Sequence, residues 1–379
     1  MEKKSYGGKI LADCISDLGV NKVFTVPGES FLPALNGLYD HKNKIDVITC
    51  RHESGAANMA EAWGKLTGFP GIVFVTRGPG ACHASIGVHT AMQDSSPMVM
   101  FIGQIHSKHK GREAFQEVDY YKMFAQPFSK AIFEIKNAKS IPKIVQKAFY
   151  ISTSDRPGPV IISLPEDILE QYAKYKSIKA LKHNFTKISP SKITNLLNKI
   201  GKSKKPLIIA GGGDWDKYGA KDLEYFANVN KIPYAVSFRR QSIVNNNNNY
   251  YIGDLSTSVD PKLINTVKES DLILVVGARL GEMTTSGYTT IKPNQKNKII
   301  HVYPDKKELG KVYKPIIGIK ANSSIFSKII KDKKIKNITW EGWSNSCRKN
   351  YIEYSTPPKY SSEPDMGKIM LILREYMPK

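Results

Sequence analysis

The chain has 379 residues, more than one ordinary hydrophobic core supports, so two domains are expected, with room for part of a third. Hydrophobic residues at 41% and aromatics at 10% suit a folded protein, and no run approaches the roughly 18 apolar residues a membrane span needs. The net charge of +22, from 56 Lys and Arg against 34 Asp and Glu, is mostly lysine spread along the chain beside Asn runs such as 245–249; with no nucleic-acid-binding motif beside it, nucleic acid is not expected as the primary partner.

The N-terminus, MEKKSYGGKI, carries charges with no apolar stretch behind them, so it reads as neither a secretory signal nor a transit peptide, and the protein as cytoplasmic. Ile10, Leu11, Cys14, Ile15 and Leu18 recur at helical spacing, and Gly19 closes that helix. Strands are then predicted at 22–26, 46–49, 71–76 and 98–102, alternating with helices at 30–40, 54–67 and 81–92. The run 71–76 is so uniformly apolar that both its faces must be covered. This alternation specifies an α/β fold, a doubly wound parallel sheet, which continues through a strand at 160–163 to about residue 172. A polar, Lys-rich connector over 171–188 follows. A second doubly wound, Rossmann-like domain is expected over 186–342, with a helix at 191–200 and strands at 206–210, 234–237, 272–276 and 299–302. The remainder, 343–379, reads as a linker and a helix at 366–376 that opens a third domain.

Cys14, Cys50, Cys82 and Cys347 are scattered, without a CxxC pair, which excludes a disulfide framework or a thiolate zinc site. His52-Glu53 begins like HExxH, but Ala56 stands where the second histidine would fall, and the His106/His109 pair has no partner at a ligand spacing. No residue of the chain is therefore assigned to a metal.

In parallel sheets ligands bind where strands end at their carboxyl side, so the loops after them carry the candidates. Three stand out: Pro27-Gly28-Glu29-Ser30, Arg51-His52-Glu53-Ser54-Gly55, and Arg77-Gly78-Pro79-Gly80. Glycines permit close backbone approach, and Glu53 places a carboxyl at the start of a helix. Each alone has an ordinary structural reading as a turn or cap. The GPG loop is not GxGxxG, so a dinucleotide fingerprint is absent from this part of the chain.

Order and spacing say more together. Pro27-Gly28, RHE-xGAA-xMA over 51–60, GPG at 78–80, the segment from Asp94 through Ser95, Ser96 and Pro97 to Met98, and GQ at 103–104 are similar to the pyrimidine-binding domain of thiamine-diphosphate enzymes. With AFQE at 114–117, RPGPV at 156–160 and PED at 165–167, the chain resembles acetolactate synthases and their close relatives. The resemblance implies that Glu53 donates a hydrogen bond to N1′ of the cofactor's aminopyrimidine, which requires a protonated carboxyl of the kind apolar surroundings favour. The thiazolium would then serve as electron sink for decarboxylation of a 2-oxo acid such as pyruvate, and a second 2-oxo acid would accept the acyl group. It further implies that Pro27 and Gly28 wall the pyrimidine, that Thr76, Pro79, Gly80 and His83 lie near it, and that Phe115 and Gln116 approach substrate. His83 departs from the synthase pattern, which has asparagine there. A homodimer or tetramer is implied as well. Two alternatives stay open: another 2-oxo acid decarboxylase of the family, and a non-catalytic subunit that keeps the fold.

The central part matches the resemblance less well. Gly211, Gly212, Gly213 and Arg279 fit the family's FAD-binding glycines and GAR motif, yet Leu280-Gly281-Glu282-Met283 replaces the usual acidic continuation. Asp305 follows in HVYPD, where the family's first acid is lost. FAD and a flavin-free structural domain are thus both compatible with the sequence. The family holds Mg2+ and the diphosphate through GDG and a later asparagine; Gly213-Asp214 with Asn245 only mimics this, because Trp215 takes the place of the last glycine. The Mg2+ ligands are expected outside this chain, and the chain alone is expected to be inactive.

Overall fold

Runs of apolar residues four to seven long, separated by amphipathic helices, form two six-stranded parallel sheets in the computed structural model, which describes residues 2–183, 187–293, 298–358 and 364–377. The chain divides into two units, Met1–Thr186 with Gly212–Asp216, and Lys187–Gly211 with Lys217–Lys379.

In chain order the first unit comprises β1 (Lys3–Tyr6), α1 (Gly7–Asp17), β2 (Lys22–Thr25), α2 (Leu32–Tyr39), β3 (Asp46–Thr49), α3 (Glu53–Thr67), β4 (Gly71–Val75) and α4 (Pro79–Asp94). It continues with β5 (Met98–Gln104), α5 (Tyr120–Met123), β6 (Ala131–Glu134), α6 (Ile141–Thr153), β7 (Pro159–Pro165), α7 (Glu166–Glu170) and β8 (Tyr172–Tyr175). Its sheet runs β3-β2-β4-β5-β7-β6, every pair parallel. Successive side chains of a strand point to opposite faces, and the two cores follow that period. Ile72 and Phe74 of β4 and Val99 and Phe101 of β5 join α1, α2 and α6 on one face. Val73, Val75, Met98, Met100 and Ile102 join α3 and α4 on the other. All five residues of β4 are buried, as its composition demands.

The helices at the site are shaped by small residues. α3 turns Ala56, Ala57, Ala60 and Gly64 inward. A Cβ on Gly87 of α4 would lie 2.5 Å from Ala57 Cβ, and one on Gly71 would lie 1.8 Å from the Ala60 carbonyl oxygen. Gly68, at φ 70°, ends α3 in the left-handed conformation that glycine adopts at least cost.

The second unit comprises α8 (Pro190–Gly201), β9 (Pro206–Ala210), α9 (Gly219–Val229), β10 (Tyr234–Ser237), β11 (Tyr251–Leu255), α10 (Pro261–Glu269) and β12 (Leu272–Val276). It ends with β13 (Ile299–Tyr303), β14 (Ile317–Lys320), α11 (Ser323–Ile330), α12 (Glu341–Ser355) and α13 (Met366–Tyr376). The order β11-β10-β9-β12-β13-β14 is the 3-2-1-4-5-6 arrangement of dinucleotide-binding sheets.

Two expected boundaries differ from the structure. The connector expected from 171 contains β8, which pairs antiparallel with β1, and Tyr175 donates its hydroxyl hydrogen to Asp13 of α1; residues 184–186 of that connector lie outside the described ones. The third piece expected from 343 begins inside α12, which packs on β11 and α10. Cys347 joins the core there, Trp343 Nε1 donates to the Pro206 carbonyl at 3.2 Å, and Arg348 Nη1 donates to the Tyr251 carbonyl at 2.7 Å. The amphipathic face of α12 thus completes the second unit.

Candidate functional site

In an open parallel sheet there is a place where successive connections turn to opposite sides, and the loops on either side of it splay apart to leave a crevice. In the first sheet it lies between β2 and β4. Pro27 and Gly28 follow β2, Thr76 to Gly80 follow β4, and Glu53 follows β3, next to β2. The three loops singled out in the sequence therefore meet at one end of one sheet.

Contacts tie them together. An ideal Cβ on Gly28 would stand 2.5 Å from Thr76 Cβ, and one on Gly80 would stand 3.0 Å from Thr76 Cγ2 and 3.5 Å from Glu53 Oε1. Glycine at both positions lets the two turns pack closely on Thr76, with Gly80 beside the carboxyl. Ser30 Oγ and Thr76 Oγ1 lie 2.8 Å apart, and Ser30 Oγ also accepts from Arg77 N at 3.3 Å. Arg77 is held in turn by Glu166 at 2.7 Å, with Glu29 at 3.6 Å.

Glu53 opens α3 and is only 9% exposed. His52, the N-cap, accepts from Ser54 N through its ring. Across the crevice, His83 in the first turns of α4 lies with Nδ1 2.9 Å from Glu53 Oε2, and the His52 and His83 rings are 4.5 Å apart. The side chain of His83 remains 51% exposed, so this hydrogen bond faces solvent on one side.

The turn into α4 has its own support. Gly78, at φ 59°, donates its N–H to Tyr120 Oη at 3.2 Å, and the Tyr120 hydroxyl donates to the Gly103 carbonyl at 3.1 Å. Burial pushes the Tyr120 hydroxyl up to about 12, so at neutral pH it keeps the proton it donates. A Cβ on Gly78 would come within 2.9 Å of Gln116 Cβ, which brings the 111–117 loop onto this turn. Glu117 knits that loop by accepting from Gly111 N at 2.6 Å and Ala114 N at 3.2 Å.

Of the residues named from sequence, Glu53, Gly28, Thr76, Gly80, His83 and Gln116 are thus joined by direct contacts. Pro27 and Pro79 are placed on the flanking turns, and Phe115, 75% exposed, points into solvent. Sequence reading missed Ser30 and Tyr120, whose hydroxyls act across 46 and 42 residues. The only local signal was the position of Ser30 in the first strand-end loop.

In the second unit Gly211 and Arg279 follow the adjacent strands β9 and β12, at the order reversal. A Cβ on Gly211 would meet Ser237 Oγ at 1.9 Å, so its glycine serves close packing of strand ends. Asp305 is engaged in its own turn, accepting from Lys307 N at 2.9 Å. Gly212 and Gly213 group with the first unit.

Two parallel sheets, with a nearly buried carboxyl beside glycine turns at a reversal point of the first, accord with the thiamine pyrophosphate enzyme family. The family's N-terminal TPP binding domain matches residues 6–123 and its central domain matches residues 193–328, so the chain belongs to that family. Within it, the similarity is to acetolactate synthase large subunits. That of Buchnera aphidicola subsp. Acyrthosiphon pisum is 31% identical over 364 residues, covering 92% of this chain and 63% of the relative. That of Haemophilus influenzae is 33% identical over 325 residues, covering 83% and 56%, and that of Lactococcus lactis 30% over 356 residues, covering 92% and 61%. The chain spans about three-fifths of the length of these curated relatives. No helix among the described residues is long and apolar enough to cross a membrane.

Proposed function

We propose that the first unit binds the aminopyrimidine of thiamine diphosphate and that the protein serves acetolactate synthesis from 2-oxo acids such as pyruvate. The observation that carries this is the nearly buried Glu53 carboxyl at the strand-end loops, with Gly80 and Thr76 packed beside it. A carboxyl, two glycines and a threonine methyl fit a flat heteroaromatic ring: the glycines admit it, Thr76 Cγ2 packs against it, and Glu53 reaches its edge nitrogen.

When bound, thiamine diphosphate supplies a thiazolium that stabilises negative charge on the carbon left by decarboxylation. The chain's own residues do the rest. Glu53 would carry a proton at Oε1, the oxygen on the Gly80 side, pass it to the ring nitrogen as the tautomer changes, and take it back when the tautomer reverts. His83, already bonded to Oε2, orients that carboxyl. Tyr120 fixes Gly78 and with it the first turn of α4. Gln116, packed on Gly78, brings an amide to the mouth of the site.

The diphosphate and its Mg2+ are assigned to none of these residues. FAD is the finer question for the central domain: with Gly211 packed shut and Asp305 spent on a turn, Arg279 is the candidate donor in the second unit. Visible flavin absorbance in the purified protein, lost in Arg279→Ala, would support FAD there; a colourless protein would favour a structural domain. The protein is proposed to work in the cytoplasm as a homo-oligomer, which mass measurement in solution checks.

The test of the main reading is product analysis from pyruvate, with thiamine diphosphate and Mg2+ present, on the protein as its full reading frame encodes it. Acetolactate is expected; acetaldehyde would favour a decarboxylase. Glu53→Gln is expected to lose at least about 100-fold in rate, the scale of a removed general acid–base. Unchanged turnover in that variant would overturn the assignment.

A further inference from the structure

Thiamine pyrophosphate chemistry asks for one carboxyl, yet Glu53 stands between two imidazoles. One ligand atom from each of His52, Glu53 and His83 lies within 4.8 Å of the other two, and no other three such side chains gather in this way among the described residues. We propose that these three residues form a binding site for a divalent transition ion of the Zn2+ class.

Two imidazoles and a carboxylate are a recognised donor set for Zn2+ and its neighbours, with the outer positions left to water. Mg2+ and Ca2+ prefer all-oxygen shells and are disfavoured by the same donors. Metal–ligand bonds of about 2.0–2.2 Å in tetrahedral geometry put ligand atoms about 3.3–3.6 Å apart. Glu53 Oε2 and His83 Nδ1, at 2.9 Å, need to part by only a few tenths of an ångström to admit an ion. His52 must close the remaining distance, and both imidazoles are exposed and therefore able to rotate.

The partners behind His52 allow it. His52 Nδ1 lies 2.8 Å from Ser54 Oγ as well as 3.2 Å from Ser54 N. In the tautomer with the proton on Nδ1, the ring gives up the capping bond from Ser54 N, donates instead to Ser54 Oγ and frees the Nε2 lone pair for an ion, the arrangement by which metal-bound histidines are usually oriented. Against this, α3 and α4 both begin here, and each helix start disfavours a cation by about 0.3–1 kcal/mol. Three inner ligands outweigh that, because each imidazole or carboxylate bond to Zn2+ replaces a bound water with a stronger, preoriented donor.

An ion held by Oε2 takes the carboxyl away from the pyrimidine, so metal and cofactor should exclude one another; this consequence, unlike the site itself, rests on the assignment of Glu53 to thiamine diphosphate. The full chain, stripped with chelator, would be titrated with Zn2+ by calorimetry and with Co2+ by visible absorption. One ion per chain is expected, with affinity at least about tenfold weaker in His83→Asn and in His52→Asn. His106→Asn, in the stacked pair with His109 on a different loop, should bind as the unaltered chain does. Near-UV circular dichroism shows whether each variant keeps its fold. Undiminished binding in a folded His83→Asn, or loss in His106→Asn, would overturn the site. A second titration adds thiamine diphosphate, with inorganic pyrophosphate alone as control for chelation in solution. Displacement beyond that control supports a shared Glu53; its absence, with the ion still dependent on His83, would keep the site and sink the cofactor assignment instead.

Discussion

Tyr120 shows how much one oxygen can hold. Its hydroxyl accepts from Gly78 N and donates to the Gly103 carbonyl, so it couples the turn into α4 to the end of β5. Tyr120→Phe leaves both backbone groups unpartnered in a buried place and is expected to cost about 1–3 kcal/mol, measurable by urea denaturation. The same loss should loosen the turn that carries Gly80 and lower affinity for thiamine diphosphate. Glu53, Gly28 and Gly80 stood out in the sequence because they lie in or at the end of short loops after strong strands, whereas His83, inside α4, was named only through the family resemblance. Ser30 and Tyr120 were not, because a hydroxyl has no local pattern and its partner is fixed only when distant strands pair. The histidine pair was invisible for the same reason: His83 comes from 30 residues away, beyond any local ligand spacing.

At the level of elements, the site depends on how closely α3 and α4 cross. Gly87 allows that approach, since its Cβ would fall 2.5 Å from Ala57 Cβ and 2.7 Å from the Ala57 carbonyl carbon. Gly87→Ala must part the helices, with a cost of about 1–3 kcal/mol as for other overpacked contacts. Because Glu53 and His83 open these two helices, cofactor affinity should fall beyond what the melting temperature alone suggests; calorimetric titration of the variant reads that difference. In the second unit Lys298, just before β13, donates to the carbonyls of Val267, Lys268 and Ser270 at 2.8, 2.9 and 2.8 Å and so caps α10. Burial lowers the Lys298 pKa, yet removing the ammonium would strand three acceptors. Lys298→Met is expected to destabilise the protein by about 1–3 kcal/mol in thermal or urea unfolding. The buried central strands were legible from apolar runs and flanking glycines. The edge strands β6, β11 and β14 and the antiparallel β8 were not, since each has only four or five residues and interrupts or ends its apolar run with a charged residue or glycine.

Over the whole chain, the join between α1 and β8 is one place where acid should act. Burial pushes the Asp13 carboxyl up, but the bonds from Tyr175, His41 and Lys9 outweigh it and hold it below the ordinary value of 3.8. A carboxyl depressed in the folded state contributes stability that is complete above its unfolded value and is lost as pH falls through the folded one. Asp13→Asn should therefore melt lower than the unaltered protein near neutrality, with the gap closing as the pH is taken below about 3.8. A gap that stays constant across that range would show the network to be neutral in stability. Domain limits were the least legible feature at this scale, because the polar stretches at 171–188 and 343–355 look like linkers until β1 and β11 supply the surfaces they pack on.

The β1–β8 pair has a mechanical meaning. Lys3 lies opposite Tyr175 and Tyr6 opposite Tyr172, so the incoming and outgoing chain leave the pair from the same end. Tension between the N-terminus and the segment beyond β8 would peel its bonds one after another, as a zipper opens, rather than load them together in shear. The parallel sheet behind it carries none of that load until the last rung, Tyr6 with Tyr172, has parted. Under a pulling force the strap should therefore yield as a small early step, well before the loops around Glu53 are disturbed.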